Sequence, residues 1–403
     1  MFKVAVIGCG ARSLAYAKPL VDSGEVQIVA CADPSWVHTK NMLDYAKIDE
    51  KTIRYYTDWQ DLLDSEKELD GAVVATPNNL HHQPAIAVLK RKIPLALEKP
   101  LTTTMQDSEK ILDVVRENRS QLVLGFVLRS APFYQIIREQ VDSGRIGRII
   151  SMQADELVMP GISSVITRSP WRRFAEQSGG SMMEKSSHDM DLMNWFAGGR
   201  PETVSSFGGS LLFRPNPTLP ENCLDCPAQG TCLYYKKPQF SEAAGDAVLQ
   251  NSLERDLDRC IYNIDKDVYD NQVVSIQYSN GILVNFTLAF NCIGERGGRN
   301  IHIIGSKGRI WGNIDSNQIG IHENLSNKTE HIAVPIVPGG HNGADNLHAL
   351  NLVKMLKDSS CRPAQDAYAG YLSNAVCIAA DLSIAEKRQI HFRYRANGYI
   401  DLV

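Results

Sequence analysis

The chain predicts an α/β fold in two parts: an N-terminal Rossmann-type, doubly wound parallel sheet, then an α+β domain with a large, open, mostly antiparallel sheet. Three observations predict it. Before about residue 126, short valine- and isoleucine-rich runs alternate with helix-length segments, the pattern of a βαβ series. After it, several apolar runs alternate residue by residue with polar ones, as half-exposed antiparallel strands do. And 403 residues exceed what one ordinary core supports. The expected domains are therefore 1–125 and 126–403.

In order, Phe2 to Gly8 is a buried parallel strand, Gly10 to Ser23 a helix stopped by Gly24, and Val26 to Ala32 a second strand closing on Asp33. Gly71 to Ala75 ends at Thr76-Pro77-Asn78, and Leu95-Ala96-Leu97 ends at Glu98-Lys99-Pro100. A helix over Thr104 to Asn118 precedes a strand over Leu122 to Val127. Ligands of such sheets sit at the carboxyl ends of the strands, where Asp33, Thr76, Pro77, Asn78, Glu98 and Lys99 all fall. In the second part, strands are expected over Ile149–Glu156, Thr203–Phe213, Gln272–Tyr278, Ile282–Phe290, Asn300–Gly305 and Gly308–Trp311. Ser181 to Phe196 reads as a helix, and Pro215 to Ala247 as a long irregular segment rich in Pro, Cys and Gly.

A net charge of −4 and no long basic run give nucleic acid or an anionic membrane nothing to bind. No apolar run is long enough to span a bilayer, and the chain opens directly into a strand without a leader pattern. Nine cysteines, mostly scattered singly, suit a reducing cytoplasm better than a disulfide framework.

The first strand-to-helix turn is Gly8-Cys9-Gly10-Ala11-Arg12-Ser13. Glycines there permit a tight turn and close approach of a pyrophosphate to the helix N-terminus. Ser13 replaces the third glycine of the full fingerprint. Asp33 would accept hydrogen bonds from adenosine ribose hydroxyls and repel a 2′-phosphate, which favours NAD over NADP. Arg12 is the group able to offset that by reaching a phosphate.

Gly8-Cys9-Gly10, Ala75-Thr76-Pro77-Asn78 with His81, Glu98-Lys99-Pro100 and the run from Gly179-Gly180 to His188 resemble the glucose–fructose oxidoreductase/inositol dehydrogenase (Gfo/Idh/MocA) family over nearly the whole chain. The resemblance implies NAD as cofactor, oxidation or reduction of sugar and polyol hydroxyls, and homo-oligomer contacts through the C-terminal sheet. It makes Lys99 the catalytic lysine and His188 the general acid/base, with Glu184 where the family usually has aspartate.

The residue types suit that chemistry. A hydride leaves a carbinol carbon only as the hydroxyl proton departs, so a base must take the proton and a cation should steady the alkoxide. Glu184, His188 and Asp191 share one helix face, with Met183, Met190 and Met193 on its buried sides. Lys185 is available to pair with a carboxylate or touch substrate. Trp171 can stack on a sugar face, while Arg168, Arg172 and Arg173 beside it can fork hydroxyls or an anionic group. Arg129 opens the second domain and faces the same cleft, and His341 with Asp345 resembles a late family motif lining the substrate side.

Cys223, Cys226 and Cys232, with Cys260 further on, can complete a tetrahedral structural zinc site. Reduced loop thiols or a local disulfide fit the same spacing, and an iron–sulfur cluster is less supported. The leading function is hydride transfer between NAD and a ring hydroxyl of a small carbohydrate. The alternative is a redox-neutral glycoside hydrolase of the same family, acting by transient oxidation and elimination. It needs a further base, for which His188 or Tyr134 is available.

Overall fold

The structure is a computed structural model that describes residues 1–235, 258–292 and 297–403. Six parallel strands form the first sheet: β1 (Phe2–Ile7), β2 (Val26–Ala32), β3 (Arg54–Tyr56), β4 (Gly71–Val74), β5 (Leu95–Leu97) and β6 (Leu122–Leu124), in the order β3-β2-β1-β4-β5-β6. The strand order reverses at β1, so a crevice opens between the carboxyl ends of β1 and β4, which pair through Val4↔Gly71 and Ile7↔Val74. β3 escaped sequence reading because it is a three-residue Arg-Tyr-Tyr edge strand without a buried residue.

Around this sheet lie α1 (Leu14–Asp22), α2 (Trp36–Ala46), α3 (Trp59–Ser65), α4 (His82–Lys90) and α5 (Met105–Asn118). Each start has a local cause where the chain supplies a cap: the Asp58 carboxylate accepts the amide of Gln60, and the Thr104 hydroxyl accepts that of Asp107.

Next come α6 (Pro132–Asp142), β7 (Ile149–Leu157), α7 (Pro160–Arg168), the single turn α8 (Ala175–Ser178), α9 (Gly180–Ala197) and β8 (Pro201–Gly209). Then follow β9 (Asn271–Tyr278), β10 (Leu283–Ala289), β11 (Gly298–Gly305), β12 (Gly308–Asn313), β13 (Gln318–Glu323), β14 (Lys328–Ala333), α10 (Ala344–Lys357), α11 (Ala367–Glu386), β15 (Ile390–Tyr394) and β16 (Ile400–Leu402). The second sheet runs β14-β13-β12-β11-β7-β10-β9-β8-β15-β16 and is antiparallel except where β7 meets β10. Its strands bury alternate residues, as in β9, so one face meets the helices and the other stands open.

Two helices from the second half of the chain return to the first sheet. Ala349, Leu352, Val353 and Met355 of α10 join the core around Val4, Val6, Tyr16 and Leu20. Gly370 of α11 lies so close to β6 that a Cβ would stand 2.5 Å from the Leu124 side chain. Sequence periodicity revealed neither partnership. α11 is apolar nearly all round, so no amphipathic stripe marks which neighbour it serves.

Candidate active site

The phosphate turn is built by close approach. Gly8 has φ of +84°, and a Cβ there would meet the Ala75–Thr76 backbone at 2.7 Å, so only glycine lets β1 and β4 end side by side. A Cβ on Gly10 would meet no protein atom within 4 Å, which leaves room above the turn for a ligand backbone. At the end of β2 the buried Asp33 carboxylate accepts the amides of Cys9 (2.7 Å) and Ser35 (2.8 Å). Thr76, at the mouth of the crevice, has a buried Oγ1 with no hydrogen-bond partner among the described residues. A glycine cradle, a held carboxylate and an unsatisfied hydroxyl at one switch point fit a dinucleotide.

Arg12 is not free to meet a 2′-phosphate. Its Nη2 lies 2.8 Å from Glu98 and 3.3 Å from Asp345. Asp345 also lies 3.1 Å from Nδ1 of His341, and the hydrogen bond to His341 together with the Arg12 charge holds it well below the usual carboxylate range despite burial. Arg12 therefore clamps the end of β5 to the start of α10. His81 is likewise a brace: its ring nitrogens face the carbonyls of Pro100 (2.7 Å) and Thr76 (2.9 Å).

Opposite the crevice, α9 begins at Gly179 and Gly180, with φ of +84° and +87°. A Cβ on Gly179 would collide with Met183, and one on Gly180 with Asp381. The two glycines bring Glu184 and His188 over the end of β5. Lys99 Nζ donates to the Glu184 carbonyl and lies 3.8 Å from its Oε2. Arg172 Nε stands 3.1 Å from Glu184 Oε1, and Asn78 Nδ2 donates to Oε2 at 2.8 Å. Burial alone would raise the Glu184 carboxyl, but Lys99 and Arg172 hold it below its ordinary value. Burial lowers Lys99 against the opposing pull of Glu184 and Glu98.

His188 is buried, with its ring 5.7 Å from that of His341 and 6.1 Å from that of Phe126. Among the described residues its Nδ1 has no hydrogen-bond partner. Burial first, then the nearby charge of Lys99 and the His341 ring, push it well below its usual value. A neutral imidazole near an ammonium is an arrangement for taking a proton.

Lys185 points the other way round the helix, 2.6 Å from Glu156 of β7. Glu156 also binds Arg299 of β11, whose Nε lies 2.9 Å from Asp189. Burial, against the pull of Arg299 and with the help of Glu156, pushes Asp189 up to about 8. This Lys185–Glu156–Arg299–Asp189 chain was not legible in the sequence, since β7 and β11 reach α9 only by folding.

Several expected cleft residues serve other ends. Arg129 and Asp191 grip each other at 2.7 and 2.5 Å, both buried, and Arg129 also donates to the Ala364 carbonyl at 3.1 Å. Asp191 lies one turn too far along α9 to face Lys99. Truncating it as Asp191→Ala leaves a buried guanidinium unpaired and should cost about 3–5 kcal/mol of stability, visible as a lower Tm. An Asp191→Ala protein with an unchanged Tm would refute a structural pair. Tyr134 is buried against Phe133 and Phe196, and burial pushes its hydroxyl far up, so it is no cleft base. Trp171 carries the Arg172 guanidinium over its ring at 4.9 Å. Arg168 turns away into the cysteine-bearing segment, and Arg173 donates to its carbonyl at 3.2 Å. Among the described residues, no three His, Cys, Asp or Glu side chains stand together as ligands of one metal ion. No helix there is long and apolar enough to cross a membrane.

A doubly wound sheet with this turn, facing a lysine–carboxylate–histidine cluster, defines a nicotinamide-dependent oxidoreductase. The chain belongs to the Gfo/Idh/MocA oxidoreductase family: residues 2–126 match its NAD-binding Rossmann domain and residues 138–392 its C-terminal alpha/beta domain. YteT of Bacillus subtilis (strain 168), named only as an oxidoreductase, is 28% identical over 96% of this chain and 97% of its own length. The 2,7-anhydro-N-acetylneuraminate hydratase of Escherichia coli (strain K12) is 31% identical over 38% of this chain and 40% of its own. The solved structure of levoglucosan dehydrogenase with NADH and levoglucosan has the same fold, with a TM-score of 0.76 at 16% identity over 97% of this chain and 99% of that one.

Proposed function

We propose that this protein transfers a hydride between NAD and a ring hydroxyl of a small sugar, polyol or glycoside. The observation that carries the reading is the cluster of Lys99, Glu184, Arg172 and Asn78 at the carboxyl end of β5, with buried His188 one turn beyond Glu184 on α9. NAD, when bound, accepts or returns the hydride. The chain manages the proton. In oxidation, neutral His188 accepts the hydroxyl proton while the Lys99 ammonium steadies the alkoxide. Glu184, itself held by Arg172 and Asn78, orients Lys99, and Trp171 supplies an aromatic face. His341 stands beside His188 on the Arg12–Asp345 clamp.

Family relatives include a hydratase as well as dehydrogenases, so net chemistry is the point to test. With candidate glycosides and substoichiometric NAD, a dehydrogenase forms NADH in proportion to substrate consumed and stops when NAD is spent. Continued turnover with bond cleavage and no net NADH would replace this reading with the redox-neutral one.

Asp33 supports NAD over NADP, because its carboxylate closes β2 and Arg12 is occupied. NADP should bind at least about tenfold more weakly, and Asp33→Ala should narrow the gap. Titration of both cofactors into both proteins measures this; tighter binding of NADP by the unmodified protein would overturn it. Exposed Phe207, Val273 and Leu283, on the neighbouring strands β8, β9 and β10, support self-association through the open sheet. A monomer in light scattering would exclude that assembly.

A further inference from the structure

Outside the cleft, a cavity of about 440 Å³ is bordered by Cys223, Cys226, Cys232 and Cys260, together with Arg168 and Tyr234. Backbone geometry brings the four thiols there from separate stretches. Asn222 and Arg259 form an antiparallel bridge. The amide of Cys223 donates to the Asp258 carbonyl at 2.5 Å, and that of Cys260 to the Glu221 carbonyl at 2.6 Å. Cys223 and Cys260 thus stand one residue beyond the bridge on opposite chains, and alternation puts both on the same side. A turn closed by Cys226 N to Cys223 O (3.1 Å) brings back the second thiol of the Cys-x-x-Cys. Another, closed by Cys232 N to Ala228 O (2.9 Å), delivers the fourth. None of the nine cysteines is in a disulfide.

The second observation is the charge beside them. Arg168 is 1% exposed and, among the described residues, the largest fully buried side chain. Its guanidinium donates to the carbonyls of Arg259 (2.6 Å) and Tyr234 (2.9 Å), to the Ser164 hydroxyl and to Cys223 Sγ (3.5 Å). Every one of these acceptors is neutral if the thiol is protonated, and no carboxylate among the described residues pairs with it. A buried arginine without a counter-anion is costly. Four thiolates around a divalent ion carry a net charge of −2 and would supply that anion where Arg168 already points.

We propose that Cys223, Cys226, Cys232 and Cys260 hold one structural zinc ion, with Arg168 as the buried counter-cation. As they stand, the sulfurs border the cavity without meeting at one point. Zinc would draw them in to Zn–S distances of about 2.3 Å. The ion would staple the 221–232 turns to Cys260 and fix the end of α7, three residues before Trp171 and Arg172. It takes no part in the redox step.

The test uses the full-length protein purified without added metal. Elemental analysis should find one zinc per chain. A mercurial reagent should release that zinc as thiols are modified, and cobalt substitution should give the intense visible bands of a tetrahedral thiolate site. Cys226→Ser should lose the zinc and lower Tm while still binding NADH; Cys361→Ser, a cysteine outside the cavity, should keep both. If Cys226→Ser does not fold, the zinc content and mercurial release of the unmodified protein still decide. Absence of zinc with the four thiols freely titratable, a disulfide between any two of them, or iron with visible absorbance would each overturn the proposal.

Discussion

Lys99→Met should retain the fold and NADH binding while kcat falls about 100- to 1,000-fold, the loss typical when a preorganised charge is removed from a developing oxyanion. Methionine keeps most of the side chain's length and apolar bulk, so the change removes the ammonium and little else. Glu184 is not stranded, because Arg172 at 3.1 Å and Asn78 at 2.8 Å still hold its carboxylate. NADH binding by fluorescence and Tm by calorimetry should therefore stay near those of the unmodified protein. A Lys99→Met enzyme keeping most of its kcat would end the assignment.

His188→Asn should cost about 100- to 10,000-fold in kcat, the range for a lost general base, and should also change the pH profile. The sign follows from the neutral form being active. Burial, Lys99 and His341 lower the imidazole well below 6.5, so it stays unprotonated at neutral pH and loses activity only as pH falls through that depressed value. Oxidation by the unmodified enzyme should thus have an acid limb below 6.5, absent in His188→Asn. On the alkaline side, Lys99 is lowered from 10.5, so the ammonium and its activity should fade below that value. Exogenous imidazole should restore part of the lost rate in His188→Asn. An acid limb unchanged by the substitution would place the base elsewhere.

Lys99 and His188 were legible for a local reason. One follows a short apolar strand and is held by Pro100; the other lies four residues beyond Glu184 on a helix opened by two glycines. Both positions are dictated by neighbours a few residues away, as are Gly8, Gly10 and Asp33. Arg12 shows where that reasoning stops. Near the phosphate turn in sequence, it is claimed by Glu98, 86 residues on, and by Asp345, 333 residues on. Arg129 and Asp191, 62 apart, choose each other for the same reason.

By itself, then, the sequence determined the doubly wound sheet, the glycine turn, the helix that carries Glu184 and His188, and the clustering of cysteines, because strand, turn and helix periodicity are local properties of the chain. Tertiary structure alone decided how charged side chains pair: Lys185 with Glu156, Arg299 with Glu156 and Asp189, and Arg168 with the thiol-lined cavity. The physical reason is desolvation. A buried charge must take whatever compensating group the packed elements bring within reach, and residues far apart in sequence share no local signal of that contact.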